Sequence, residues 1–243
     1  MSPPVFLAED GLPDSGTVVL DGPEGRHAAT VRRIGPGERV DLTDGAGTLA
    51  ECVVTAAAKA SLTLEVLSRR VDPAPSPRLV VVQALPKGDR GELAVETMTE
   101  VGVDVIVPWS ASRSITQWRP ERREKALGRW RNTAREAAKQ ARRSRFPEVA
   151  ELESTKQVAR RVAAASRAVV LHEEATERLS ALEPPADGDI VVIVGPEGGI
   201  ADDEIAAFTA AGGRTALLGP TVLRTSTAGV AAAAVLLAAT GRW

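Results

Sequence analysis

Ile190-Val191-Val192-Ile193-Val194-Gly195-Pro196-Glu197-Gly198-Gly199-Ile200 is the stretch that decides the fold, together with Ala216-Leu217-Leu218-Gly219-Pro220-Thr221-Val222-Leu223-Arg224-Thr225-Ser226-Thr227 downstream of it. Each begins as a short apolar run and stops at a Gly-Pro bend, which reads as a buried strand closed by a turn. Two such strands side by side would set two main-chain bends next to each other, with one arginine and several hydroxyls at the mouth. Glycine admits positive φ and close approach to backbone, whereas proline fixes one φ and removes a donor. That cradle suits a flat, polar small molecule better than a metal ion or a covalent nucleophile. Asp202, Asp203 and Glu204 follow as first-turn acids of a helix, favourable at the positive end of its dipole. Neither the phosphate loop Gly-x-x-x-x-Gly-Lys-Ser/Thr nor the dinucleotide fingerprint Gly-x-Gly-x-x-Gly is present. Alone, the first bend is what any tight strand-to-helix turn looks like, and Gly22-Pro23-Glu24-Gly25 repeats its letters without a comparable setting. Arg224 shifts the reading. A cation just ahead of a helix N-terminus opposes the dipole, and an anion or polar substrate edge would account for it; the alternative is a plain surface arginine.

Working outward, strands at 78–85, 104–109, 167–172, 189–195 and 214–218 alternate with helices at 89–101, 120–143, 155–165, 202–211 and 226–240. Such alternation predicts a parallel sheet covered on both faces. The last helix is Ala-rich and apolar nearly all round, so it belongs in a core or a subunit interface, with Ser226 or Thr227 as its cap. Asp72-Pro73-Ala74-Pro75-Ser76-Pro77 carries three prolines in six residues and reads as a linker. Ahead of it the pattern is β-rich. Short strands at 17–20, 39–42, 49–54 and 62–66, a hairpin turn at Asp44-Gly45-Ala46-Gly47 and a short helix at 27–33 suit a small barrel. Two domains are therefore expected, 1–72 and 73–243.

A chain of 243 residues with one cysteine, Cys52, and two histidines excludes an internal disulfide framework and a multi-cysteine zinc site. A reducing cytoplasm is the expected compartment. No basic segment followed by an apolar stretch opens the chain, and the apolar run 228–239 falls short of the roughly 20 residues a bilayer span needs. The net charge is −2, yet residues 119–145 hold eleven arginines and lysines against three glutamates. Such local excess on a balanced protein is the footprint of a polyanion site, RNA above all; a solvated amphipathic face is the plainer reading.

Other segments join these. They are Gln83-Ala84-Leu85-Pro86-Lys87-Gly88-Asp89-Arg90, Thr99-Glu100-Val101-Gly102-Val103, Ser112-Arg113-Ser114, the basic stretch from Trp130 to Arg143, and Gly25-Arg26-His27 to Arg33 followed by Pro36-Gly37-Glu38. With the two bends, they resemble the SPOUT class of RNA methyltransferases, and more closely the RsmE family, which methylates N3 of a uracil in 16S ribosomal RNA. The resemblance runs over nearly the whole chain. It implies an α/β fold with a SPOUT trefoil-knotted methyltransferase domain preceded by a small β-barrel PUA-like RNA-binding domain. It implies S-adenosylmethionine (SAM) held by three loops: Leu171, His172 and Glu173; Gly195, Pro196, Glu197, Gly198 and Gly199; and Leu218, Gly219, Leu223, Thr225, Ser226 and Thr227. The partners implied are 16S rRNA of the small ribosomal subunit and a second copy of the chain, a homodimer, with no membrane and no metal.

RNA contacts fall on Arg26, Arg32, Arg33, Lys87, Arg90, Arg113, Arg135, Lys139, Gln140, Arg142 and Arg143. Arg224 is the candidate catalytic group, a cation beside uracil O2 or O4 that would stabilise the anion left when N3 loses its proton. His172 reads as a loop contact rather than a base, and Cys52 as core. Many relatives carry Glu at Ser226 and Glu-Gln-Ser at Lys139-Gln140-Ala141, so a carboxylate role at Ser226 is absent here. The rival readings are a catalytically silent RNA-binding protein, a SPOUT enzyme acting on tRNA or a ribose hydroxyl, and a nucleotide-dependent oxidoreductase, against which the missing fingerprint speaks.

Overall fold

In the computed structural model, which describes residues 2–8 and 11–243, contacts divide the chain into two units. One is Met1–Ala74 with Ala138–Phe146; the other is Pro75–Ala137 with Pro147–Trp243. The first holds strands β1 (Val5–Leu7), β2 (Gly16–Leu20), β3 (Arg39–Thr43), β4 (Thr48–Ala57) and β5 (Leu62–Val71), in the order β1-β3-β4-β5-β2. β1 lies parallel to β3 and the other ladders are antiparallel. Alternation sends Val40, Leu42, Ala50, Cys52, Val54, Leu62 and Leu64 into one core. No ladder among the described residues joins β1 to β2, so the expected small barrel is open between its edges. Burial pushes the Cys52 thiol up to about 11, which fits a core residue and not a nucleophile.

The hairpin turn forms where expected. The Asp44 carboxylate accepts from the N–H groups of Ala46 (2.7 Å) and Thr48 (3.0 Å). The early helix differs from expectation. It begins at the Gly-Pro-Glu-Gly repeat, as α1 (Gly22–Arg26), and runs into a π-turn at His27–Val31. Proline suits a first helical turn. Gly25 is required by packing, because a Cβ there would lie 2.8 Å from the Ala60 carbonyl oxygen. Glu24 is buried, accepts from the Leu7 N–H (3.2 Å) and pairs with the Lys139 ammonium at 2.7 Å.

Residues 138–146 complete this unit. The Ser144 carbonyl accepts from Gly47 N–H (3.0 Å) and Thr43 Oγ1 (2.8 Å), and Phe146 N–H donates to Gly45 (2.8 Å). The Ser144 hydroxyl, and then the Arg70 guanidinium, hold the Asp72 carboxyl below its usual range. The start of the expected linker is thus tied down.

The second unit contains β6 (Arg78–Ala84), α2 (Arg90–Val101), β7 (Val105–Ser110), α3 (Pro120–Gln140, its last residues counted with the first unit), β8 (Glu148–Val149), β9 (Glu153–Ser154) and α4 (Thr155–Ala164). It continues with β10 (Arg167–Leu171), β11 (Asp189–Val194), α5 (Asp202–Ala210), β12 (Arg214–Ala216) and α6 (Thr225–Ala239). All pairings are parallel, in the order β12-β10-β11-β6-β7-β8, with β9 also on β7. Unbroken Val/Ile runs follow from burial on both faces. Val81, Val169 and Val192 face α2, α3 and α6, while Val80, Val170 and Val191 face α4 and α5. α6 reaches close to α2 through Gly229, where a Cβ would sit 2.7 Å from Met98 Sδ. One stripe of α6 (Ala232, Ala233, Leu236, Leu237) is buried, Ala228, Val230, Ala234 and Val235 are partly covered, and Ala238 and Ala239 at its end are exposed. α3 stops at Gln140, short of 143, because Arg142 takes φ 56° and Arg143 N–H folds back to the Ala138 carbonyl at 2.9 Å.

Candidate functional site

A parallel sheet presents the carboxyl ends of all its strands along one edge, and ligands of such sheets bind there. β12, β10 and β11 are neighbours, so the loops that leave them meet. They enclose a cavity of about 690 Å³, within the range of small-molecule sites. Leu171, His172 and Glu173 line it after β10. Gly195, Pro196, Glu197, Gly198 and Gly199 line it after β11. Leu218, Gly219, Leu223, Arg224 and Thr225 line it after β12. The sequence thus identified three loops that the fold brings to one place. Ser226 and Thr227 are outside the lining. α6 starts at Thr225, so Arg224 takes the N-cap position, Ser226 is buried, and Thr227 Oγ1 donates back to the Arg224 carbonyl (3.2 Å). The expected hydroxyl cap is absent for that reason.

The glycines of the two bends serve different ends. Gly199 has φ 72°, and Cβ atoms at Gly195 and Gly198 would meet Ile200 Cγ1 at 2.6 Å and Arg113 at 3.2 Å. Those positions are set by the protein packing on itself. A Cβ at Gly219 would meet nothing within 4 Å, so its absence leaves open space along the cavity wall. His172 is held as a loop contact. Its N–H donates to the Ala216 carbonyl (3.1 Å) and its Nδ1 accepts from Glu174 N–H (3.2 Å). Acids and apolar groups share the lining: Glu173, Glu174 and Asp202 with Val194, Leu217 and Leu218.

Arg90, Arg113 and Arg224 also line the cavity. Arg224 is exposed at the start of α6, and its guanidinium has no hydrogen bond or ion pair among the described residues. Arg113 is steadied by Nη1 donating to the Ile200 carbonyl (3.4 Å). Lys87 is exposed, and its main-chain N–H donates to Glu197 Oε1 (3.1 Å).

Glu204, read from sequence as one of three first-turn acids of a helix, is buried. Its Oε1 accepts from Ser112 N–H (2.9 Å) and Thr155 Oγ1 (2.8 Å), and its Oε2 from Ala201 N–H (3.2 Å). The spacing of Glu204 three residues after the N-cap position, Ala201, was the available signal for part of this, as the acid of a capping box.

The candidate RNA residues divide. Arg26, Arg32, Arg33, Gln140 and Arg142 are exposed on the first unit, where Arg142 Nη2 donates to the Ser2 carbonyl (3.3 Å). Arg135 and Arg143 are half-buried and have partners. Lys139 must be corrected. Its ammonium is buried against Glu24 and does not face solvent. Arg129 and Arg131 pair with Glu92 (3.3 Å) and Glu151 (2.8 Å), acids from outside the basic run. Exposed cations gather instead at the start of α3, on Arg122, Arg123 and Lys125. Among the described residues there is no cluster able to hold a metal ion, and no helix long and apolar enough to cross a membrane.

Residues 73–237 match a family described as RNA methyltransferase domain, and residues 20–67 match one described as RNA methyltransferase PUA domain. A curated "Ribosomal RNA small subunit methyltransferase E" of Mycobacterium bovis is 50% identical over 239 residues, covering 96% of this chain and 91% of the relative. The protein of that name from Bacillus subtilis is 28% identical, covering 92% and 91%. A crystal structure of a ribosomal RNA small subunit methyltransferase E from Neisseria gonorrhoeae bound to S-adenosyl methionine superposes with a TM-score of 0.87 at 27% identity, covering 98% of both chains.

Proposed function

The chain belongs to the RNA methyltransferase family, among the ribosomal RNA small subunit methyltransferase E proteins, and we propose that it transfers a methyl group from SAM to N3 of one uridine in 16S rRNA of the small ribosomal subunit. One observation carries the reading: three strand-end loops converge on a cavity lined by an arginine, Arg224, whose guanidinium has no partner among the described residues. The cavity suits SAM. Apolar Leu217 and Leu218 offer a surface for the adenine ring, the nearby carboxylates Glu173 and Asp202 favour a cationic ligand, and the bare Gly219 leaves room against the main chain. When bound, SAM supplies an electrophilic methyl on a sulfonium.

The chain's own part is to align and to stabilise. The bends at Gly195–Gly199 and Gly219 fix the donor site, and alignment of the reacting atoms alone can lower a barrier by roughly 7–11 kcal/mol in favourable cases. Arg224 stands where charge develops on uracil O2 or O4 once N3 is deprotonated. His172 Nδ1 accepts from a main-chain N–H, which fits a loop contact better than a general base. Arg26, Arg32, Arg33, Lys87, Arg90 and Arg113 hold phosphates, with the exposed start of α3 beside them in role. The enzyme acts in the cytoplasm as a homodimer, in which a second copy would cover the exposed apolar side chains of Val222 and Leu223.

The test is mass mapping of nucleosides in 16S rRNA from a strain lacking this gene. One 3-methyluridine is expected to disappear and to return when purified protein and SAM are added to the isolated subunits. An unchanged 16S map, or a methyl lost from tRNA instead, would refute the proposal. Gly219→Ala gives a finer check. The added methyl finds open space in the free protein, so thermal stability should stay within a degree or so. It would enter space the donor needs, and overpacking of this kind costs about 1–3 kcal/mol, so calorimetry should show SAM binding weakened at least about fivefold.

A further inference from the structure

Glu204 lies under the cavity and does not line it. The residue is 2% exposed, and its carboxylate receives three donors from three separate places in the second unit. Ser112 N–H belongs to the loop after β7, Thr155 Oγ1 to the first turn of α4, and Ala201 N–H to the end of the first Gly-Pro bend. Thr155 Oγ1 is in turn an acceptor for Trp109 Nε1 (3.3 Å), and Trp109 packs edge-on against Phe208 of α5 at 5.3 Å. The anchor is therefore rigid and its polar atoms are satisfied, the condition under which a buried polar network fixes geometry.

What it anchors is specific. Ser112 immediately precedes Arg113, and Ala201 immediately follows Ile200. Arg113 and Ile200 both line the cavity and touch each other, through Arg113 Nη1 and the Ile200 carbonyl. Gly198 rests on Arg113 so closely that a Cβ would lie 3.2 Å from its Cβ and its carbonyl oxygen. Two loops from different strands thus form one wall, and each is clasped by a main-chain N–H to the same carboxylate.

We propose that Glu204 is a positioning residue that sets the Arg113/Gly198 wall of the donor cavity by clasping Ser112 and Ala201 from below. The proposal rests on the donor-site reading above. It separates main-chain clasps, which shape the wall, from the Thr155 contact, which only anchors the carboxylate to α4.

Glu204→Gln separates them experimentally. A carboxamide has one acceptor oxygen, so in either orientation its NH2 faces one of the two main-chain N–H groups and that clasp is lost. Thr155→Val removes the side-chain donor and keeps both clasps. SAM affinity is read by calorimetry and the ligand-free fold by thermal unfolding. Glu204→Gln should weaken SAM binding at least fivefold. Thr155→Val should lower the melting temperature and leave affinity within twofold. A purely structural role predicts instead that affinity does not follow the clasps. Affinity within twofold of wild type in Glu204→Gln, or an equal loss in Thr155→Val, would overturn the proposal. If Glu204→Gln does not fold, Ala201→Pro removes one clasp and keeps the carboxylate, at a φ of −74° that proline accepts, and the same fivefold loss is expected. Wild-type protein that fails to bind SAM at all would defeat the donor-site reading; wild-type binding with unaltered variants would defeat the Glu204 proposal alone.

Discussion

Arg224→Ala should lower the single-turnover rate of methyl transfer by roughly 10²–10³ while SAM affinity, measured by calorimetry, stays within about threefold; that rate range is typical for removal of one group that stabilises a developing oxyanion. The argument starts from its position. Arg224 is the N-cap residue of α6, a place where the helix dipole opposes a cation, and no carboxylate among the described residues pairs with it. A cation kept in such a place is available for a ligand that carries negative charge. SAM is cationic at sulfur and gains little from it, which is why affinity for the donor should hold. The uracil anion gains most, because the charge appears only after N3 loses its proton. The substrate for the measurement is small subunits from the deletion strain. Arg224→Lys should keep part of the rate, since the charge remains and the planar fork does not. Near-normal turnover in Arg224→Ala would remove the arginine from the mechanism.

Lys139→Ala should loosen the first unit far more than any loss of surface charge could. Lys139 and Glu24 are only 10% and 11% exposed in their side chains and lie 2.7 Å apart. Removing one partner of a buried pair typically costs about 3 kcal/mol or more, whereas an exposed pair is worth less than about 1 kcal/mol. The reporter is already in place. Cys52 is the chain's single cysteine, lies in the core of that unit and has a thiol pushed up to about 11, so alkylation requires the unit to open. About 3 kcal/mol corresponds to labelling faster by about a hundredfold. Replacing both partners with apolar residues should recover much of the loss, because the desolvation of Glu24 then disappears too. Labelling of Lys139→Ala at the wild-type rate would show that the pair contributes nothing to holding the unit closed.

What was legible in the sequence was what local chemistry encodes. Unbroken Val/Ile runs such as 190–194 marked strands buried on both faces, and the Gly-Pro bends marked where they stop. Arg224 ahead of an Ala-rich helix flagged the cavity mouth. What escaped depended on partners far away in the chain. Lys139 looked like one more cation of a basic run until Glu24 met it from 115 residues away. Glu204 read only as a first-turn acid facing a helix dipole, because Ser112 and Thr155 are adjacent to it only in the folded sheet. The Gly-Pro-Glu-Gly repeat near the N-terminus was set aside as an echo of the later bend. It proved to be the start of α1, with its glutamate turned inward, since four letters do not specify which side of them is buried.

Residues 138–146 contribute to the first unit while lying well past its other 74 residues in the chain. Translation therefore delivers the parts of that unit out of order. When Val71 has emerged from the exit tunnel, Thr43, Gly47 and Glu24 are still waiting for Ser144 and Lys139. At about 5–20 residues per second, the nascent strands spend several seconds incomplete. The portion made first thus waits for contacts made last, and a fragment cut at the proline-rich stretch would lack them altogether.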